Sequence, residues 1–184
     1  RKILEVCLKY RQPIGIITKN ALILRDLDIL GELAKMQLVQ VALSINTLDE
    51  KLRRRLEPRT ATVARRLKSV EMLSEAGIPV AVMAAPVIPG LNSHEVLDIA
   101  KAGAARGARS LSYTMVRLNG IISELFLNWL DHHYPDRAVK VRHLIEETHA
   151  GKLNDSEFGR RMRGEGQIAE QVRSMVKVAR KKYF

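Results

Sequence analysis

The feature that most constrains this chain is a regular alternation of short apolar, β-like runs with longer stretches patterned for amphipathic helices. Four strands are predicted, Ile14 to Lys19, Leu38 to Asn46, Ile78 to Ala85 and Arg109 to Arg117. Their starts fall 24, 40 and 31 residues apart, enough for a helix and its loops in every gap, as parallel strands require. Pro13 opens the first run, where its missing N–H is tolerated. In the second, Val41, Leu43 and Ile45 fall on one face and Ala42, Ser44 and Asn46 on the other.

The intervening segments carry helix punctuation. Asn20 is placed to cap a helix with Ile23, Leu27, Leu30 and Ala34 on one stripe. Thr60 is placed to cap another, bearing Val63, Leu67, Val70 and Leu73, with Gly77 as its stop. Asn92 and Glu95 have capping-box spacing ahead of Val96, Ile99 and Ala100, and Gly107 follows as the stop. After Gly120 the alternation ends, and Ile121 to His133, Pro135 to Ala150 and Ile168 to Lys182 all read as helices, with a glycine-rich joint at Arg163 to Gly166.

This order predicts an α/β fold: a partial (β/α) barrel of about four parallel strands with flanking helices over residues 1–120, then an all-helical C-terminal tail over 121–184. The chain opens inside a helix-like segment, Lys2 to Arg11, ahead of which a strand is expected. Four units are fewer than a closed barrel's eight, so the expectation is the later part of a larger barrel. A self-contained four-stranded α/β sandwich is the alternative.

Composition matters for what it excludes. Cys7 is the only cysteine, so the chain cannot form a disulfide scaffold, a cysteine-rich zinc site or, by itself, an iron-sulfur cluster. The longest apolar runs, near Ile14 to Ile17 and Val80 to Ile88, are far short of the roughly 20 residues of a spanning helix. No signal-peptide pattern follows Arg1, and a cytosolic, reducing setting suits one unpaired thiol.

The net charge of +11 is concentrated. Residues 51–68 hold eight Lys or Arg against Glu57 alone, and the tail from Tyr134 holds twelve basic and seven acidic residues. Arg53, Arg54, Arg55, Arg59, Arg65 and Arg66 are therefore candidate contacts to a nucleic acid. A solvated basic helix face is the competing reading, and with only 4% aromatic residues stacking platforms are scarce.

Ligands in parallel α/β folds bind where the strands end at their carboxyl side. That points to Lys19, whose ammonium either faces the mouth, ready for a carboxylate or phosphate, or is a solvated loop lysine. Ser44 and Asn46 share the polar face of their strand. Such an inward pair needs partners, supplied either by a ligand's hydroxyls or by the sheet itself. At Ala84 and Ala85, ahead of Pro86, small side chains would let a flat ligand approach the backbone. His132 and His133 are adjacent rather than four apart, which favours a helix end over metal binding. His94, His143 and His149 are expected at the surface. Arg59 contacts an anion or pairs with Glu57.

Several strings together carry a resemblance: Gly15-Ile16-Ile17-Thr18-Lys19-Asn20, Val41 through Asp49, Leu56-Glu57-Pro58-Arg59, Ala76 through Val80, Ala85 through Asn92, and Asp155 through Gly164. In their order and spacing the chain resembles the carboxy-terminal part of radical S-adenosylmethionine proteins, in the branch similar to spore photoproduct lyase, and within it an uncharacterised bacterial subgroup. The resemblance implies a partial (β/α)6 barrel of which these would be the last four strands. It implies S-adenosylmethionine bound to a [4Fe-4S] cluster held by a Cys-x3-Cys-x2-Cys loop, and its reductive cleavage to a 5′-deoxyadenosyl radical that abstracts hydrogen from a substrate.

By the same resemblance Lys19 meets the cofactor's carboxylate, Ser44 lies near its ribose and methionine moiety, Ala85 contacts adenine through its backbone, and Asn46 extends the set. The cysteine loop is absent, so no metal ligand is expected in this chain, and alone it should neither hold the cluster nor react. A portion of a longer protein whose N-terminal barrel part completes it, or a natural short paralogue, would account for that. The lyase's substrate is damaged DNA, with which the basic segment is compatible. A non-catalytic nucleic-acid-binding domain is the alternative function, and dimerisation through the exposed edge of the first strand is a further expectation.

Overall fold

The computed structural model describes residues 1–184. Its elements are α1 (Lys2–Lys9), β1 (Ile14–Thr18), a 3-10 turn (Ala21–Asp26), α2 (Leu27–Lys35), β2 (Val39–Ser44), α3 (Glu50–Leu56), α4 (Val63–Glu75), β3 (Val80–Val87), a second 3-10 turn (Ser93–Glu95), α5 (Val96–Ala104), β4 (Leu111–Met115), α6 (Ile121–His133), α7 (Pro135–Glu147) and α8 (Gly166–Tyr183). The four strands form one parallel sheet in the order β1-β2-β3-β4.

Sequential order with no reversal means that every crossover runs the same way round, so the helices gather on one face of the sheet. The burial pattern shows which face. Val39, Val41, Leu43, Val80, Val82, Leu111 and Met115 are buried in the main core with Leu30 and Leu33 of α2, Val70 and Leu73 of α4, and Ile99 of α5. On the opposite face Gly15, Ile17 and Gln40 are exposed and Ala42, Met83, Ser112 and Thr114 half-buried. A doubly wound sheet would cover both faces; a sheet covered on one face is an arc of a barrel. The partial barrel is therefore the architecture observed, and the sandwich alternative is set aside.

Local signals settle differently in three places. The run after Asn46 forms two helices, α3 and α4, and the cap of α4 is Thr62, whose hydroxyl accepts from the Arg65 N–H at 3.3 Å. Thr60 instead donates to the Glu57 carbonyl at 2.7 Å. Asn92 and Glu95 do not form a capping box. The Asn92 amide donates to the Asn46 carbonyl at 2.7 Å and the Pro86 carbonyl at 3.0 Å, and its oxygen accepts from the Ile88 N–H at 2.6 Å. Glu95 accepts from the Thr47 hydroxyl and the Leu48 N–H, both at 2.6 Å. Both side chains thus serve to tie the loop after β2 to the loop after β3. Asn20 caps as expected, accepting from the Leu22 N–H at 3.0 Å.

The C-terminal helices do not stand apart from the barrel arc. Val172, Val176 and Ala179 of α8 belong to the main core. Leu130 of α6 and Ala138, Val141 and Ile145 of α7 build a second cluster on Ile88, Leu91, Val116 and Leu118, the residues just beyond β3 and β4. No helix is long and apolar enough to cross a membrane.

Candidate functional site

At the carboxyl ends of the strands, an open depression of about 530 Å³ is lined by Ile17, Thr18 and Lys19 from β1 and its exit, Ser44 at the end of β2, Met83, Ala85 and Pro86 of β3, and Thr114 of β4. Three of the four residues singled out from the sequence, Lys19, Ser44 and Ala85, come together here although they are far apart in the chain. Parallel register explains it: Thr18 lies beside Leu43 and Ser44 beside Met83, so β1 and β2 end level with Met83 while β3 runs on through Ala85 to Val87.

Ser44 is 2% exposed and its hydroxyl donates to the Ala85 carbonyl at 3.0 Å. Of the two readings open to a polar inward serine, the sheet supplies the partner. Ala85 is buried, and its single methyl leaves the depression wide at that point. Asn46 does not join this lining. It lies beyond the end of β2, is 2% exposed, and neither its amide nitrogen nor its oxygen has a partner within the chain. The period-2 alternation that paired it with Ser44 ended with the strand.

The Lys19 ammonium is ion-paired with Glu57 while about a third of its side chain stays exposed. The same carboxylate receives Arg66, at 2.7 Å. Arg66 is 1% exposed, and it also donates to the Ser44 carbonyl at 2.8 Å and the Ala61 carbonyl at 2.9 Å. The Ala61 N–H closes the loop on the Lys19 carbonyl at 3.2 Å. Glu57 and Arg66 thus fix the loop from which Lys19 is oriented. Arg59 is exposed and is not the partner of Glu57. Glu57 carried no periodic signal that could have placed it at the mouth. Met83 did, since it is the cross-strand neighbour of Ser44 once parallel register is assumed, and Thr114 shares that face one strand further on.

The structure corrects the basic patch over 51–68. Arg53 is 4% exposed, pairs with Glu50 at 2.7 Å, and donates to the Glu57 and Thr60 carbonyls. With Arg66 it is internal, unavailable to a ligand. Arg55 is half-buried, held over the Tyr134 ring and donating to the His133 carbonyl. Only Arg54, Arg59 and Arg65 remain exposed. His149 is also corrected: it is 1% exposed, with Nε2 at 2.7 Å from the Val116 carbonyl. At His133, burial, reinforced by His132 and Arg55, pushes the imidazole below its ordinary value.

The radical SAM superfamily model matches residues 1–103, α1 through most of α5. The chain belongs to the radical SAM superfamily. An uncharacterized protein of Mycobacterium tuberculosis is 35% identical over 134 residues, 72% of this chain and 39% of that protein. An uncharacterized protein of Methanocaldococcus jannaschii is 29% identical over 126 residues, 68% of this chain and 46% of that protein. Among solved structures, spore photoproduct lyase complexed with dinucleoside spore photoproduct superposes with a TM-score of 0.64 at 15% identity, covering 94% of this chain and 48% of the lyase. This likeness concerns the fold. The radical SAM chain thus spans well under half the length of the mycobacterial relative and about half that of the lyase.

Membership implies S-adenosylmethionine and a [4Fe-4S] cluster in the complete protein. The depression suits the former: it is lined by a cation, Lys19, by the Thr18, Ser44 and Thr114 hydroxyls, and by the small side chain of Ala85. The cluster has no fit here. Cys7 is 8% exposed on α1 and lies outside the depression lining, and no three metal-binding side chains converge. Any cluster ligands must come from outside these residues.

Proposed function

We propose that this chain is the cofactor-supporting, substrate-side part of a radical S-adenosylmethionine enzyme. The observation that carries the reading is the convergence of Lys19, Ser44 and Ala85 on one depression at the strand ends. When bound with its cluster, S-adenosylmethionine supplies a carbon radical for hydrogen abstraction. The chain's own part is binding and orientation. Lys19 offers its ammonium to the cofactor's carboxylate in exchange for Glu57, and Ser44 and Ala85 shape the wall for the ribose and adenine. The test is S-adenosylmethionine affinity of the complete, reconstituted protein. Lys19→Ala is expected to weaken it roughly tenfold or more, the loss of one charge-assisted hydrogen bond; unchanged affinity removes Lys19 from the site.

The substrate enters from the same open side of the sheet. A DNA lesion is the first substrate to try, because the solved lyase of the same fold was captured with a dinucleoside photoproduct. The alternative, a non-catalytic nucleic-acid-binding domain, rests on fewer cations than the sequence offers, since Arg53 and Arg66 are buried in internal pairs while Arg54, Arg59 and Arg65 stay exposed. A protein sequence ahead of Arg1 without Cys-x3-Cys-x2-Cys would sink the enzyme reading.

A further inference from the structure

A second cavity, of about 350 Å³, lies between β4 and α8, well apart in its lining from the depression at the strand ends. Arg173, Lys177 and Arg180 face it from α8 at i, i+4 and i+7, Arg163 enters from the segment before that helix, and Ser112 and Tyr113 complete it from β4. Four cations line this small volume. The only carboxylate paired to any of them is Glu170, on Arg173. The Arg163 and Lys177 side chains have no hydrogen-bond or ion-pair partner in the chain, and Arg180 uses its Nε on the Leu111 carbonyl at 2.9 Å, which aims the guanidinium and leaves its outer N–H groups free.

The Tyr113 hydroxyl is buried without a partner. That hydroxyl is closed off from the cavity and takes no part in it; the like charges gathered at the cavity repel one another, and one bound oxyanion relieves that repulsion. We infer that this cavity is a binding site for a phosphate monoester or free phosphate, held as the dianion. A monoester gathers nearly two charges and three acceptor oxygens at one point, which suits converging guanidinium and ammonium groups; a phosphodiester spreads single charges along a groove. The helix that carries three of these cations is held in place, because Val172, Val176 and Ala179 fasten α8 into the main core, while the four cationic side chains themselves are exposed. It is independent of the cofactor reading.

The test is calorimetric titration of the complete protein at fixed ionic strength with inorganic phosphate, a nucleoside monophosphate and an oligonucleotide lacking terminal phosphates. One saturable site for the first two is expected, and clearly weaker binding of the third. The double variant Arg163→Gln with Lys177→Gln, both exposed positions, should lose roughly tenfold or more in affinity. Lys2→Gln with Lys140→Gln removes the same charge elsewhere and should change affinity less than about twofold, with thermal unfolding confirming that each variant is folded. Tighter binding of the nucleoside monophosphate assigns an ester and tighter binding of phosphate the free anion, and either sustains the site. No binding, an oligonucleotide bound as well as the monoesters, or equal losses in both double variants overturns it.

Discussion

Arg66 is buried within reach of four acceptors: the carbonyls of Ser44 and Ala61, the Glu57 carboxylate and the Thr60 hydroxyl. A guanidinium spreads five N–H groups in a plane and can satisfy such a set; an ammonium cannot. Arg66→Met strands Glu57 beside Lys19 and leaves two carbonyls unpaired. The expected cost is about 3–5 kcal/mol in denaturant unfolding, and Arg66→Lys should recover only part of it. A loss below about 1 kcal/mol would mean that the network contributes little. At this scale the sequence was legible for Lys19, Ser44 and Ala85, which follow from where strands end. It was not legible for Arg53 and Arg66: a run of basic residues reads the same whether its members face water or are paired inward.

Among the elements, two helices containing glycine make opposite predictions. On α5, a Cβ at Gly103 would lie 2.5 Å from Cγ2 and 3.3 Å from Cβ of Val82, because the helix packs directly on β3. On α2, a Cβ at Gly31 meets nothing within 4 Å. Gly31→Ala is expected to stabilise by up to about 1 kcal/mol through helix propensity. Gly103→Ala gains the same propensity but must push Val82 aside, and a net loss of about 1–2 kcal/mol is expected. Paired thermal unfolding checks this, and equal signs for the two would mean that α5 yields easily. Most strands and helices were legible from period and caps. The caps that failed, Thr60 and Asn92, failed because a nearby loop competed for the same side chain, which no local pattern records.

For the molecule as a whole, charge sets the response to acid. With a net charge of +11 at neutrality, protonating its carboxylates adds to self-repulsion. His133 lies below its ordinary value, so the unfolded chain binds a proton first as pH falls through about 6.5, and stability starts to drop there. The Arg160 guanidinium, and then the Glu157 N–H, hold the Asp155 carboxyl below the usual range. At Glu50 burial pushes upward, but the Val63 N–H and Arg53 outweigh it and the net shift is downward. The Arg1 guanidinium holds Asp28 down at about 2. Depressed carboxylates stabilise above their unfolded values and lose that contribution as pH falls through the folded ones, so a second, larger drop is expected from about pH 4 downward. Unfolding free energy measured against pH checks both steps. His133→Gln should abolish the upper one; its persistence would place the titration elsewhere.

The sequence by itself determined the parallel α/β rhythm, the four strand segments along the chain and the residues Lys19, Ser44 and Ala85 toward their carboxyl ends, because hydrophobic period, turn chemistry and crossover length are local quantities. Only the tertiary structure decided that the helices lie on one face, that α8 belongs to the main core, and that Arg53 and Arg66 are internal. It also brought Arg163 onto the same cavity as Tyr113, residues 50 positions apart. Such facts depend on which surfaces meet across long separations, and burial there is what turns a charge in the sequence into a fastening or a site.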